Sequence, residues 1–384
     1  MPNRVAIKPE LLKWARVRAG IEVDQLARNR KFSRYREWES GEVHPTLKQL
    51  EDFAKKTHAP IGYFFLPEPP EESIPIDDFR TIGSSSLRGE VSPDLLDTLD
   101  LCQERQEWYR DHLLAEGGSR VSFVGCATLD DDIEAVAERI RSALKFDMEE
   151  RATLGNWTDA LRRFIAQANE VGVLVMMNGV VGNNPHRKLN PDEFRGFTLV
   201  DDIAPLVFIN GADTKAAQMF TLAHELAHIW LGQTALSDSR PNSMPSNRTE
   251  FWCNKVAAEL LVPLAVLREE YRRGGELSGE LARLARRFKV SKLVVLRRIY
   301  DARRLNREQF QEAYRAELMK LQNVSTSGGG NFYATEITRV GERFARAVIA
   351  STLEGGTLYR DAFHLLGFSK LDTFRNLADR LNLN

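Results

Sequence analysis

His224-Glu225-Leu226-Ala227-His228 decides the reading of this chain, because it sets two imidazoles and a carboxylate on one short segment. On a helix at about 100° per residue, positions four apart lie nearly above one another, so His224 and His228 share a face. Two ring nitrogens on that face can hold a single zinc, with Glu225 beside them to take a proton from an attacking water. Phe220, Leu222, Ala223, Leu226, Ala227, Ile229 and Trp230 around them mark a buried helix. An apolar helix keeps three such polar groups only if something offsets their desolvation. Core histidines making ordinary hydrogen bonds are the bland alternative for five residues taken alone.

A second segment weighs against that alternative. A catalytic zinc site takes three protein ligands and leaves one position open. Residues 250–263, Glu-Phe-Trp-Cys-Asn-Lys-Val-Ala-Ala-Glu-Leu-Leu-Val-Pro, read as a helix ended by Pro263. Glu250 and Asn254 share a face, whereas Glu259, nine residues on, lies about 180° around the helix. Glu250 is therefore the expected third ligand, and Asn254 a hydrogen-bonding partner that orients one of the ligands. Glu259 is expected to be solvated or salt-bridged. Cys253 is a tempting thiolate, but a lone cysteine is more often a small buried hydrophobe.

At these residues the chain resembles the ImmA/IrrE family of metallo-endopeptidases. Glu193-Phe194-Arg195-Gly196-Phe197, the run from Pro205 to Asn210, Phe220 to His228 and Cys253 to Pro263 all look like that family. So does a helix-turn-helix domain placed ahead of the peptidase. The likeness extends over nearly the whole chain and is most specific over 150–265. It implies a soluble, gluzincin-like peptidase that cleaves one regulatory protein, often a repressor or antitoxin-like partner. Carried over, it makes His224, His228 and Glu250 the metal ligands and Glu225 the general base.

Size and composition fit this reading. A chain of 384 residues is long enough for two or three domains. No apolar run reaches the 18 or so residues of a membrane helix, and Met1-Pro2-Asn3-Arg4 lacks an apolar signal core. Three scattered cysteines, Cys102, Cys126 and Cys253, suit a reducing compartment, so a cytoplasmic location is expected. The net charge of −1 hides local excesses. Residues 1–56 carry 13 Lys/Arg against 8 Asp/Glu, and residues 271–305 carry 11 against 3. Positive charge concentrated in this way can meet a phosphate backbone, although a solvated helix face is the commoner explanation.

The boundaries follow from local composition. Residues 1–66 resemble an Xre/Cro-type helix-turn-helix domain, with Thr46 placed to cap a helix. Between Ala27 and Trp38 that pattern is about two residues short and lacks a turn glycine. The shortening falls on the recognition helix. Arg28, Arg30, Lys31, Arg34 and Arg36 remain as phosphate contacts, which position a protein without reading sequence. The Pro- and Glu-rich stretch opening residues 67–82 is a stiff linker. A helical connector is expected over 83–150, the peptidase over 151–270, a second helix-turn-helix-like unit over 271–324 and a last helical module over 331–384. Helices at 93–116, 131–145 and 157–170 either clasp the peptidase or hold two protomers together as a homodimer. Short β-rich runs at 171–175, 194–200 and 205–209 precede the metal helix. One edge of such a sheet can take an extended substrate by strand addition. Pro241 to Arg248 reads as a loop bordering the cleft, and Ser325 to Gly330 as a flexible break.

The expectation is thus a predominantly helical α+β chain whose gluzincin-like peptidase domain, with its small sheet, is flanked by helix-turn-helix-like helical domains. The expected activity is zinc-dependent cleavage of a specific regulatory protein, with manganese or iron suiting the same donors. A DNA-binding regulator acting through residues 9–66 or 271–305, or an antitoxin-like protein, with a structural or sensory metal is the alternative. Against it, a structural zinc normally has four protein ligands and needs no glutamate beside its first histidine. His186, Arg187 and Arg195 are candidate oxyanion donors, each more readily explained as structural.

Overall fold

The computed structural model describes residues 4–72, 74–78, 91–237, 247–272, 274–322 and 337–383. The break at 325–330, nearly all of the 241–248 loop and the end of the 67–82 linker lie outside them. The chain divides into two compact units, Met1–Pro75 with Ile82–Thr98, and Ile76–Thr81 with Leu99–Asn384.

The first unit contains α1 (Pro9–Arg18), α2 (Val23–Ala27), α3 (Tyr35–Glu39) and α4 (Leu47–Thr57). They close on Leu11, Leu12, Leu26, Phe32, Tyr35, Trp38 and Phe53. Thr46 caps α4 by accepting from Gln49 N at 3.3 Å, with the Gln49 side chain accepting from Thr46 N. The α2–α3 connection is a 3₁₀ turn, Arg30–Phe32, and α3 runs for five residues. Its cations are engaged locally. Lys31 meets Asp52 at 3.1 Å, Arg34 pairs with Glu37 and Arg36 with Asp24.

The second unit is built on a five-stranded mixed sheet of β1 (Asp77–Asp78), β2 (Leu174–Asn178), β3 (Gly196–Leu199), β4 (Leu206–Asn210) and β5 (Ala235–Ser237). Their order is β1-β5-β3-β4-β2. β2 runs parallel to β4, β3 is antiparallel to both β4 and β5, and β1 is parallel to β5. β2, β3 and β4 lie within a few residues of their sequence expectation. The short strands β1 and β5 carry no alternating pattern that would have announced them.

Because strand side chains alternate, the sheet buries two faces. Val175, Val207 and Ile209 join the core formed with α8 (Trp157–Glu170), α9 (Lys215–Leu231) and α10 (Arg248–Leu261). On the other face Phe197 stacks on Phe208, centroids 4.9 Å apart. There α5 (Pro93–Ala115) crosses the sheet from Leu99 onward, where Gln106 Nε2 donates to Leu199 O and Ala204 O at 2.9 and 2.8 Å. The chain is α+β and predominantly helical.

Beyond α10, Leu281, Leu284, Phe288, Val294, Val295, Leu296 and Ile299 enter the same core as α9 and α10. They belong to α12 (Leu277–Phe288) and α13 (Lys292–Asp301), which follow the shorter α11 (Leu264–Glu270). Part of the basic excess counted over 271–305 is met here by acids contributed from elsewhere in the chain. Arg287 pairs with Glu149 and with Glu270 (2.8 Å), Arg298 with Glu259 and Lys292 with Glu317 (3.8 Å). Local counting could not see those partners. The C-terminal helices Glu342–Leu353, Tyr359–Leu366 and Leu371–Arg380 pack back onto this unit, where Arg343 donates to Asn169 O at 2.7 Å. Among the described residues no helix is long and apolar enough to cross a membrane.

Candidate metal centre

Two helices supply the centre. α9 is capped by Thr214, whose hydroxyl accepts from Ala217 N, and ends at Gly232 in the left-handed region with φ 70°. Every residue of α9 from Gln218 to Trp230 is buried. α10 begins at the Asn247 cap, which puts Glu250 in its first turn. Packing of α10 on α9 then brings three side chains from two separate stretches to one point.

His224 Nε2 and His228 Nε2 lie 3.1 Å apart. Glu250 reaches both, with Oε1 2.9 Å from His228 Nε2 and Oε2 3.3 Å from His224 Nε2. Donors sharing one tetrahedral zinc at about 2.0–2.1 Å stand roughly 3.3 Å from each other. The cluster fits one such ion. His224, His228 and Glu250 are the set that can hold a metal among the described residues, and all three are buried. The other ring nitrogen of His224, Nδ1, stands 3.1 Å from Asn254 Oδ1. An amide oxygen can only accept, so Nδ1 carries the proton and Nε2 keeps its lone pair for a ligand.

Glu225 lies beside this cluster, fully buried. Thr198 Oγ1 of β3 donates to its Oε2 at 2.7 Å, while Oε1 has no hydrogen-bond partner. Burial pushes its carboxyl up to about 7, against the opposing pull of His224 and the Thr198 hydroxyl. Burial acts on Glu250 in the same direction, but the two imidazoles outweigh it and hold that carboxyl well below the usual range. The two buried carboxyls are thus pushed in opposite directions. The close approach of β3 to α9 depends on Gly196. A Cβ there would meet Thr221 Cγ2 at 2.6 Å and Phe208 O at 2.8 Å, with Glu225 Oε1 at 3.1 Å.

The remaining candidates lie elsewhere. Glu259 is buried at the far end of α10 against Arg298, and it accepts from Leu264 N at 3.2 Å. Cys253 is a buried thiol whose ionisation is disfavoured by burial, then by the charges of Glu250 and Glu225. Arg195 pairs with Asp213 at 2.8 Å, Arg187 is half-buried and His186 is exposed. Thr198 and Ser237 were not foreseen. Ser237 Oγ, on β5, stands 3.4 Å from His228 Nε2. A lone Thr or Ser in a short strand has no spacing to its partners that a linear reading can detect.

A buried His-His-Glu cluster with a second carboxylate beside it, set against a small mixed sheet, offers three donors to one metal ion. Residues 168–300 match the family model described as the IrrE N-terminal-like domain. Over these residues the chain is similar to that domain. Residues 340–380 match a domain of unknown function, DUF8813. The radiation response metalloprotease IrrE of Deinococcus radiodurans is 37% identical over 91 residues, 22% of this chain. The match spans 28% of that relative's length. No solved structure matches the chain.

Proposed function

We propose that this chain is a zinc-dependent endopeptidase of narrow specificity, acting on one regulatory protein of the repressor or antitoxin-like class. The observation that carries the reading is the convergence of three donors from α9 and α10, with Glu225 alongside as a separate carboxylate. Three protein donors leave a zinc one open position, as hydrolysis requires and structural zinc sites normally do not. His224, His228 and Glu250 would hold the ion, with Asn254 fixing the His224 ring. When bound, the ion supplies Lewis-acid polarisation of a carbonyl and lowers the pKa of water.

Glu225, close to neutrality in its pKa, takes the proton of the attacking water and passes it to the leaving amine. Such general acid–base work is worth about 10² to 10⁴ in rate. Thr198 holds the carboxylate by Oε2 and leaves Oε1 to face the reaction. The rival reading as a DNA-binding regulator loses support from the ion pairs that engage much of the basic charge in both helix-turn-helix-like regions.

Metal analysis of the purified full chain tests the proposal. The wild type is expected to carry roughly one zinc per chain and Glu250→Ala close to none. Glu225→Gln should retain the metal and fail to cleave the partner protein. Wild-type protein without metal, when prepared without chelators, would overturn the peptidase reading. Cleavage by Glu225→Gln would overturn the general-base assignment.

A further inference from the structure

The last residue of β5 reaches the metal cluster from the sheet. Ser237 is fully buried and pairs across the sheet with Gly196 of β3, the glycine on which the approach of β3 to α9 depends. Its hydroxyl oxygen stands 3.4 Å from His228 Nε2. The same nitrogen has His224 Nε2 at 3.1 Å and Glu250 Oε1 at 2.9 Å. A ring nitrogen gives or takes one hydrogen bond, so it cannot serve three such neighbours at once. The three spacings are instead those of donor atoms around one ion, which stand roughly 3.3 Å apart. Ser237 Oγ thus has the spacing of a fourth donor.

Its chemistry suits an oxygen that can be lent and withdrawn. A serine hydroxyl has one proton to donate and two lone pairs. Glu225 lies beside it, and the hydroxyl favours the ionised form of that carboxyl. A proton directed to Glu225 leaves the lone pairs for an ion. A neutral alcohol is not among the strong protein ligands of zinc, which are thiolate, imidazole and carboxylate. Serine also has three staggered side-chain positions, so Oγ can leave by rotation about one bond without moving the backbone of β5.

We propose that Ser237 Oγ is a displaceable fourth donor, holding the position that His224, His228 and Glu250 leave open when no substrate is present. The proposal deepens the metallopeptidase reading and rests on it for the identity of what displaces the hydroxyl. The donor set itself can be tested without catalysis. A hydroxyl and an added ligand that share one position have reciprocal effects. If the hydroxyl fills the position about 90% of the time, it strengthens metal binding and weakens its competitor by one common factor, about tenfold.

The test uses the full chain carrying Glu225→Gln and loaded with cobalt, which suits the same imidazole and carboxylate donors and whose spectrum reports its ligands. That substitution removes a charge that would otherwise respond to loss of the hydroxyl. The probe is azide, a small anion that takes an open metal position. Adding Ser237→Ala should tighten azide binding about tenfold and weaken cobalt binding, measured against a chelator, by the same factor. Ser237→Cys should give a sulfur-to-cobalt charge-transfer band in the near ultraviolet and exclude azide.

Weaker cobalt binding with unchanged azide binding would make Ser237 a mere support for His228 and overturn the proposal. Unchanged binding of both in Ser237→Ala overturns it too, as does a cobalt-loaded Ser237→Cys chain with no charge-transfer band. If Ser237→Ala does not fold, the Ser237→Cys band decides alone. Failure of the metallopeptidase reading appears separately, as a Glu225→Gln parent that takes up no cobalt.

Discussion

Helix α10 buries two glutamates nine residues apart, and their surroundings are opposite in kind. Glu259, 4% exposed, is closed off by the Arg298 guanidinium and the Leu264 amide. Glu250, 1% exposed, faces two imidazole nitrogens and no permanent cation. Burial alone does not separate a structural carboxylate from a functional one. The partner does. A guanidinium is always charged and completes an ion pair, whereas neutral imidazoles bring lone pairs that only a proton or a metal can use.

The first way to break this comparison is to delete each carboxylate in turn. Glu259→Ala leaves Arg298 charged in a buried position, with Val262 O at 2.8 Å and Asp301 at 3.6 Å as remaining contacts. Removing one member of a buried pair costs about 3–5 kcal/mol, and the retained contacts put this case near 3. Denaturant unfolding should show that loss while zinc stoichiometry in the folded protein stays unchanged. Glu250→Ala should do the reverse. The metal-free variant should unfold within about 1 kcal/mol of metal-free wild type, because imidazoles can shed their protons. Equal destabilisation by both substitutions would show that Glu250 too is a structural ion-pair partner.

Asn254→Ala sharpens the same contrast from the side of the ligand. The amide oxygen lies 3.1 Å from His224 Nδ1. Loss of a partner that orients a metal ligand typically weakens binding about 10- to 100-fold. Competition for zinc against a chelator of known affinity should register that range, with Asn254→Asp recovering part of it. Full affinity in Asn254→Ala would mean that helix packing alone sets the tautomer and orientation of His224.

The helical part of this site was legible because its chemistry repeats at helical spacing. His224, Glu225 and His228 announce themselves within five residues, and Glu250 with Asn254 repeats the four-residue interval on a second helix. The orientation of Glu259 followed from the same angle. What could not be read lies on the strands. Ser237 and Thr198 meet the helix only because β3 and β5 pair across 35 or more residues of intervening chain, in the register Thr198 to Ala235 and Gly196 to Ser237. The charge pattern was incomplete for a related reason. Part of the excess over 271–305 is paired with acids, Glu149, Glu259 and Glu317, that come from outside that window. Periodicity reports a face of one element, while electrostatic balance belongs to the assembled fold.

Thr198 provides the smallest and most selective test, because its hydroxyl bonds to Glu225, the carboxylate beside the cluster. Its hydroxyl is fully buried, 2.7 Å from Glu225 Oε2 and 3.1 Å from Glu225 O. Thr198→Val keeps the shape and removes the donor, so the variant should fold and bind zinc as the wild type does. Stability should fall by about 1–2 kcal/mol, the usual result of leaving one buried acceptor unpaired. Once a cleaved partner is in hand, kcat should fall while KM holds, since the hydroxyl orients the proton acceptor and makes no contact with an incoming peptide. Thr198→Ser, which restores the donor, should recover most of the loss. A KM effect without a kcat effect would instead place Thr198 among the groups that bind the peptide, and would move the proton-transfer role of Glu225 onto some other support.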